Sequence, residues 1–294
     1  VRRYWELARP FTLLPPVIGI VSGSVVAYGA TGAAWNWRAI APAALAAAIL
    51  NAGSNAINQI YDLELDRVNK PHRPLPSGRI TRRAAAAFSV VCYAAALLTA
   101  SLVNRETALI YAAAAVGTWM YSAPPLRLRD HWLWSNFTIA LFRGALLKVA
   151  GWAVLATVLA SWEPWYIGAI FFVFLLGAAG TKDFSDLEGD RRGGARTLPV
   201  VFGPRRAAQM IAPSLVAPWV MLPLGVRLGV LHGHPAALTA LGGVMFAWGV
   251  YTARAILVDP ASLVTRGENH PAWRHMYWMM MAAHVGTAAA YWVT

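Results

Sequence analysis

The sequence predicts an all-α, polytopic membrane protein, and three observations carry that prediction. Mean hydropathy is +0.48, and 58% of residues are hydrophobic while only 13% are charged. Apolar runs long enough to span a bilayer recur along the whole chain. Lys and Arg are distributed very unevenly among the connections between those runs. The runs lie near residues 11–29, 39–58, 84–103, 107–121, 133–160, 164–180, 207–226, 236–257 and 275–293. They predict nine transmembrane helices in a single domain over residues 1–294.

With the N-terminus placed in the cytoplasm, cytoplasmic connections hold 20 of the 25 Lys and Arg. Arg38, Arg105 and Arg227 fall on the opposite side, and Arg143 and Lys148 fall inside the fifth run. This is the positive-inside pattern, and it accounts for a net charge of +12 without a nucleic-acid partner.

The first run follows Arg2, Arg3 and Arg9 and carries Pro15 and Pro16; it is too long for the core of a signal peptide. The second is rich in Ala and ends in Asn51, Asn55 and Asn58, leading into a charged loop near 59–83. The third holds the single Cys92, which reads as a small packed hydrophobe. The fourth ends at Tyr121 before "YSAPPLRLR". The fifth contains Asn136, Arg143 and Lys148, whose burial in lipid would be costly, so they should face protein or an aqueous cavity. Asn136 and Arg143 are seven residues apart and should share a face, with Lys148 about 140° further round. The sixth begins beside Trp162 and Trp165, at the outer interface with Trp35 and Trp37, and leads into a second charged loop near 181–206. Trp132 and Trp134 are expected at the inner interface. The last three runs carry no charge cluster, and His284 in the ninth reads as a packed, hydrogen-bonded residue.

The chemistry sits in the two charged loops. Asn58, Asp62 and Asp66 are four residues apart and share one helical face if the second helix continues past the membrane; Asn51 and Asn55 extend that stripe inward. In "TKDFSDLEGDRRGG", Asp183, Asp186 and Asp190 again fall on one face, while Glu64 and Glu188 point away. Asp62 and Asp66 precede Asp186 and Asp190 by the same 124 residues, which hints at two halves of related design. Clustered carboxylates repel one another unless a multivalent cation is present, and hard oxygen donors of this kind suit Mg²⁺, which bridges carboxylates to phosphates. Either motif alone reads equally well as solvated charge flanking a helix; both together, on one side and with one spacing, point to a metal-bound diphosphate. Lys70, Arg73, Arg79, Lys182, Arg191, Arg192 and Arg196 then supply positive charge to the diphosphate, with Lys182 the first choice. His72 reads as a loop hydrogen bond.

The motifs "NQIYDLELD", "KDFSDLEGD", "NKPHRPLPSGRI" and "YSAPPLRLR" resemble the UbiA superfamily of intramembrane prenyltransferases, over essentially the whole chain. The resemblance implies nine transmembrane helices around a central cavity, with a cytoplasmic cap built from the two motif loops. It implies Mg²⁺ held by Asp62, Asp66, Asp183, Asp186 and Asp190, with Asn58 beside them. It also implies a polyprenyl diphosphate donor whose tail lies in an apolar cavity open to membrane lipid. Relatives place a base after the fourth helix on the diphosphate; here Tyr121 is followed by Arg127 and Arg129. Arg143 and Lys148 are candidates for diphosphate or an anionic acceptor.

The motif dialects resemble homogentisate prenyltransferases in "NQIYD", chlorophyll synthases in "YSAPPLRLR", and archaeal digeranylgeranylglyceryl phosphate synthases in "NKPHRPLPS". The expected reaction is Mg²⁺-dependent prenyl transfer to a lipophilic or aromatic acceptor, with a quinone-type head group favoured over the other two. A membrane terpene cyclase would share both motifs. A secondary transporter would place its polar groups near midplane on broken helices, whereas these acids sit at helix ends.

Overall fold

A computed structural model describes residues 1–293, with Glu268 described by its backbone alone. No strand occurs among the described residues; one isolated bridge joins His131 to Arg196. The long helices, in chain order, are α1 (Pro10–Thr31), α2 (Trp37–Tyr61), α3 (Arg82–Val103), α4 (Arg105–Ser122), α5 (132–153), α6 (Glu163–Ser185), α7 (Leu198–Arg227), α8 (Pro235–Val258) and α9 (Pro271–Trp292). Among the described residues six of these, α1, α2, α3, α6, α7 and α8, are long and apolar enough to cross a membrane. The chain is therefore an integral membrane protein. The other three expected spans coincide with α4, α5 and α9, which have comparable length but are diluted by polar residues such as Glu106, Arg143 and Arg274.

Two expectations about boundaries change. The fifth run ends as a helix at Ala153 and not at residue 160. The following turn is pinned instead: Glu106 accepts bonds from the Thr157 hydroxyl at 2.5 Å and the Val158 N–H at 2.9 Å. The charged stretches are loops only in part. Residues 59–83 contain the helix Leu63–Asn69, and 181–206 contain Leu187–Arg192 and the start of α7, which kinks at Gly203 (φ 75°) before Pro204.

Each long helix packs on the next, α9 closes back on α1, α2 also touches α4 and α5, and α1 crosses the ring to α5. That contact is made by glycine. A Cβ on Gly23 would stand 2.8 Å from the Gly151 Cα, and one on Gly151 2.6 Å from the Ile20 carbonyl oxygen. Two backbones approach this closely only where side chains are missing. The Ser24 hydroxyl donates to the Gly151 carbonyl at 2.8 Å across the same contact. On the side of this contact toward the charged end both helices line a cavity, α1 through Pro15, Pro16 and Ile20 and α5 through Phe142, Arg143 and Leu146.

Of the two Asn that extend the acidic stripe inward, Asn51 lines the same cavity as Asn58, Asp62 and Asp66, whereas Asn55 is buried outside the lining. Their amides donate to the Thr12 and Ala8 carbonyls, at 2.8 and 2.9 Å, and Gln59 donates to the Leu7 carbonyl at 2.8 Å. One polar face of α2 thus holds the N-terminal helix Arg2–Ala8 and the start of α1, whose carbonyls would otherwise lack partners.

At the opposite end, the buried Glu163 carboxylate accepts the Tyr291 hydroxyl, the His232 N–H at 2.7 Å and the His232 ring at 2.8 Å. It joins the start of α6 to the end of α9 and to the connection between α7 and α8. Glu163→Ala removes the acceptor for all three donors; the exposed His232 ring can turn to water, whereas the buried Tyr291 hydroxyl loses its acceptor at about 1–3 kcal/mol. The expected outcome is a clearly lower melting temperature in detergent, with Glu163→Gln less damaging; a thermal melt followed by intrinsic fluorescence checks it.

Candidate active site

The two acidic motifs are built alike. Asp62 ends α2 and begins Leu63–Asn69 with φ −95° and ψ 9°; Asp186 ends α6 and begins Leu187–Arg192 with φ −99° and ψ 2°. In both, the N–H four residues on returns to the Asp carbonyl, Asp66 to Asp62 at 2.7 Å and Asp190 to Asp186 at 2.8 Å. The helical conformation is interrupted at Asp62 and at Asp186 instead of running straight through. The two short helices then pack together, where Gly189 leaves room for the Asn69 amide that a Cβ would strike.

Every one of these acids is paired with a base. Lys70, from the first motif, reaches Asp186 in the second at 2.7 Å. Arg73 holds both oxygens of Asp66, at 2.9 and 2.7 Å. Lys182 bonds Asp183 at 2.6 Å. Arg129 is buried, bonds Asp62 and approaches Asp190 at 3.4 Å, so one guanidinium bridges the motifs. Asp190 also accepts the Thr197 hydroxyl at 3.1 Å. Arg127, in the left-handed region at φ 39°, donates to the Tyr61 carbonyl at 3.1 Å and to Asp130 at 2.7 Å, and approaches Asp62 at 3.5 Å. These bonds hold a backbone conformation that an Arg rarely adopts. Burial alone would raise the Asp186 carboxyl, but Lys70 with Lys182 and Arg129 holds it below the usual carboxylate range. Burial pushes Asp190 up to about 6 against Lys182 and Arg129, with Asp183 and Asp186 adding to the rise.

Below this charged mouth lies a cavity of about 510 Å³. Asn58, Asp62, Asp66 and Asp186 line it together with Lys70, Arg73, Arg129 and Lys182, as do Tyr121 and Arg143 further along. Asp183 and Asp190 are buried behind the lining. The donor chemistry fits a hard divalent cation: carboxylates from both motifs converge on one mouth, and the buried Oδ2 of Asp183 has no hydrogen-bond partner. Among the described residues, however, no three acidic or His side chains are grouped closely enough to hold a metal by themselves. Their oxygens are turned toward Arg and Lys instead.

The remaining predicted residues separate. Arg143 projects into the cavity, and no hydrogen bond or ion pair to it is found among the described residues. It sits on a π-turn, Ala140–Ala145, where each residue advances less than the 100° of an α-helix. Asn136 and Arg143 therefore do not share a face as expected: Asn136 packs beside Gly180 of α6, outside the cavity lining. Lys148 also lies outside it. It is 2% exposed, donates to Ser22 at 2.7 Å and packs over the Phe171 ring at 4.6 Å. His284 stacks on the same ring at 4.4 Å, the packed role read from the sequence. Arg196 has an exposed side chain, and its backbone pairs with Asp130 and Trp132, at 2.7 and 2.8 Å. Sequence reasoning gave Arg129 no priority over Arg127, because an alternating Leu-Arg-Leu-Arg run does not reveal which Arg turns inward. Trp273 and Tyr277, one turn apart on α9, also line the cavity.

Arg129→Ala would leave two buried carboxylates without their shared cation, a change worth about 3–5 kcal/mol, whereas the exposed i,i+4 pair Arg192 and Glu188 is worth about 0.3–0.5 kcal/mol. Denaturation of both Ala variants in detergent should show that contrast.

The UbiA prenyltransferase family profile matches residues 17–257. Digeranylgeranylglyceryl phosphate synthase of Methanopyrus kandleri is 33% identical over 241 residues, covering 82% of this chain and 84% of its own. The bacteriochlorophyll synthase 33 kDa chain of Cereibacter sphaeroides is 28% identical over 263 residues, 88% of this chain and 84% of its own. A solved structure of digeranylgeranylglyceryl phosphate synthase shares the fold with a TM-score of 0.75 at 21% identity, covering 100% of this chain and 99% of its own. A UbiA homolog from Archaeoglobus fulgidus bound to GPP and Mg²⁺ does so with a TM-score of 0.74 at 20% identity, covering 97% and 99%.

Proposed function

We propose a substrate pair and a division of labour for this site from one premise: the chain belongs to the UbiA prenyltransferase family. It is an enzyme that transfers prenyl groups, which sets the secondary transporter aside. The proposed reaction moves a polyprenyl group from its diphosphate to a lipophilic acceptor that carries an anion, of the glycerophosphate type. The observation that carries this reading is Arg143, a cation that lines the cavity away from the charged mouth and has no hydrogen bond or ion pair among the described residues. A guanidinium open to the cavity, within the span of an apolar bundle, calls for an anion from the ligand. The quinone-type head group favoured from the sequence gives way here. Relatives named for digeranylgeranylglyceryl phosphate or bacteriochlorophyll synthesis support the alternatives better. The placement of the N-terminus and both motifs in the cytoplasm, and of nine spans around the cavity under a cap, is part of the same proposal.

Mg²⁺, when bound, would be held by Asp62, Asp66, Asp186 and Asn58, with Asp183 and Asp190 behind them, and it supplies Lewis-acid neutralisation of the diphosphate. The protein's own bases do the rest. Lys70, Arg73, Arg129 and Lys182 now satisfy carboxylates; around a diphosphate they would satisfy its oxygens and stabilise the charge that grows as it departs. Breaking the C–O bond to diphosphate leaves an allylic cation on the prenyl chain; the acceptor's hydroxyl oxygen attacks it to form the new C–O bond, and its proton passes to the departed diphosphate. The apolar wall keeps water from quenching it. Arg143 orients the acceptor.

Purified protein given Mg²⁺, geranylgeranyl diphosphate and, separately, a prenylglyceryl phosphate, a chlorophyllide or a quinone precursor should form product with the first, identified by mass. Product from the donor alone would point to a cyclase, and a preference for either other acceptor would overturn this choice. Asp62→Ala and Asp186→Ala should abolish turnover while the protein stays folded, and chelation should do the same. Arg143→Leu should raise the acceptor KM by at least about tenfold, one lost charge-assisted contact, with the donor KM little changed.

A further inference from the structure

The cavity does not end in open space. Its deep end lies between α1, α2, α4 and α5, where Ile20, Ala47, Ile110 and Ala150 form the wall. Across that end runs Tyr111 of α4. Its ring lines the cavity, only 3% of the residue is exposed, and its hydroxyl donates to the Ala43 carbonyl of α2 at 2.6 Å. Ala43 is one turn beyond Ala47 on α2, so the tyrosine spans from helix to helix directly beneath the last wall residues. A ring fixed at its far end by a buried hydrogen bond cannot swing aside without leaving that hydroxyl unsatisfied. Beyond it, the Gly23 and Gly151 backbones close α1 onto α5.

We propose that Tyr111 is a specificity-determining residue that fixes the longest prenyl chain the donor site accepts. This rests on the reading of the cavity as a prenyl diphosphate site. Asp62 and Ala47 are fifteen residues apart on α2, which at 1.5 Å per residue is about 22 Å from mouth to floor. An extended isoprenoid advances about 5 Å per unit, since four chain bonds of roughly 1.5 Å project about 1.25 Å each. The tunnel therefore matches about four units, and a longer tail meets the tyrosine ring. The neighbouring wall residues Ala47 and Ala150 contribute only methyl groups, so the width of the lower tunnel depends on their smallness.

The test is displacement of labelled geranylgeranyl diphosphate, in Mg²⁺, by geranyl, farnesyl, geranylgeranyl and hexaprenyl diphosphates. Binding needs no acceptor, so the result is independent of the acceptor's identity. Wild-type affinity should rise to geranylgeranyl and fall for hexaprenyl. Tyr111→Ala should improve hexaprenyl binding by about tenfold or more, the scale on which a pocket discriminates apolar bulk. Tyr111→Phe keeps the ring and should keep the limit. Ala47→Phe, which adds bulk and removes no hydrogen bond, should lower the limit by at least one unit while geranyl diphosphate still binds. An unchanged chain-length profile in Tyr111→Ala and Ala47→Phe, with geranyl diphosphate bound normally, overturns the floor assignment alone. Failure of wild-type protein to bind any of the diphosphates overturns the donor site and the floor together.

Discussion

The organisation of this protein depends on neutralising acids buried at one end of an apolar bundle. Asp62, Asp66, Asp183 and Asp190 are each at most 5% exposed, a position a carboxylate cannot hold in ionised form without a compensating charge. Compensation comes partly from the opposite half of the chain: Lys70 pairs with Asp186, and Arg129 links Asp62 to Asp190. The same ion pairs that make the acids tolerable hold the two motif helices against each other. The mouth of the cavity is therefore a closed electrostatic circuit, with opposite charges supplied from sequence-distant segments.

That circuit also prepares the chemistry. A metal and a diphosphate together offer what the existing pairs offer, a cation for the carboxylates and an anion for the bases, so partners can be exchanged with little net change in buried charge. Arg143 stands apart from this exchange. Its side chain has no hydrogen bond or ion pair among the described residues, which is why the proposed acceptor end is placed there and not among the motif bases. Below both, Gly23 and Gly151 draw α1 onto α5 and Tyr111 crosses between α4 and α2, giving the apolar chamber a definite depth. The opposite end of the bundle is held by a different device, the fully hydrogen-bonded Glu163, which places no charge near the reaction.

Local pattern revealed much of this. The spacing of Asp62 and Asp66 and of Asp186 and Asp190 found both motifs, and their matched backbone geometry at Asp62 and Asp186 is the physical counterpart of that spacing. Other local inferences did not survive packing. Asn55 lies on the predicted helix and yet serves the N-terminal segment, because the carbonyl of Ala8 needed a donor. Lys148 does not line the cavity: it faces α1 and α6, where Ser22 and Phe171 receive it. Arg143 and Asn136 diverge because a π-turn lies between them, and no periodicity count anticipates a change in the number of residues per turn.

The sequence by itself determined the solvent of the chain, its helical class and the chemical identity of the motifs, because hydropathy, charge asymmetry and i,i+4 spacing are local properties that folding does not alter. Only the tertiary structure decided which base meets which acid, that Arg129 turns inward where Arg196 does not, and where the cavity ends. Those outcomes depend on contacts between residues dozens to more than a hundred positions apart. Their geometry is set by how closely two glycines allow two helices to approach, and by which buried polar groups find partners once they have.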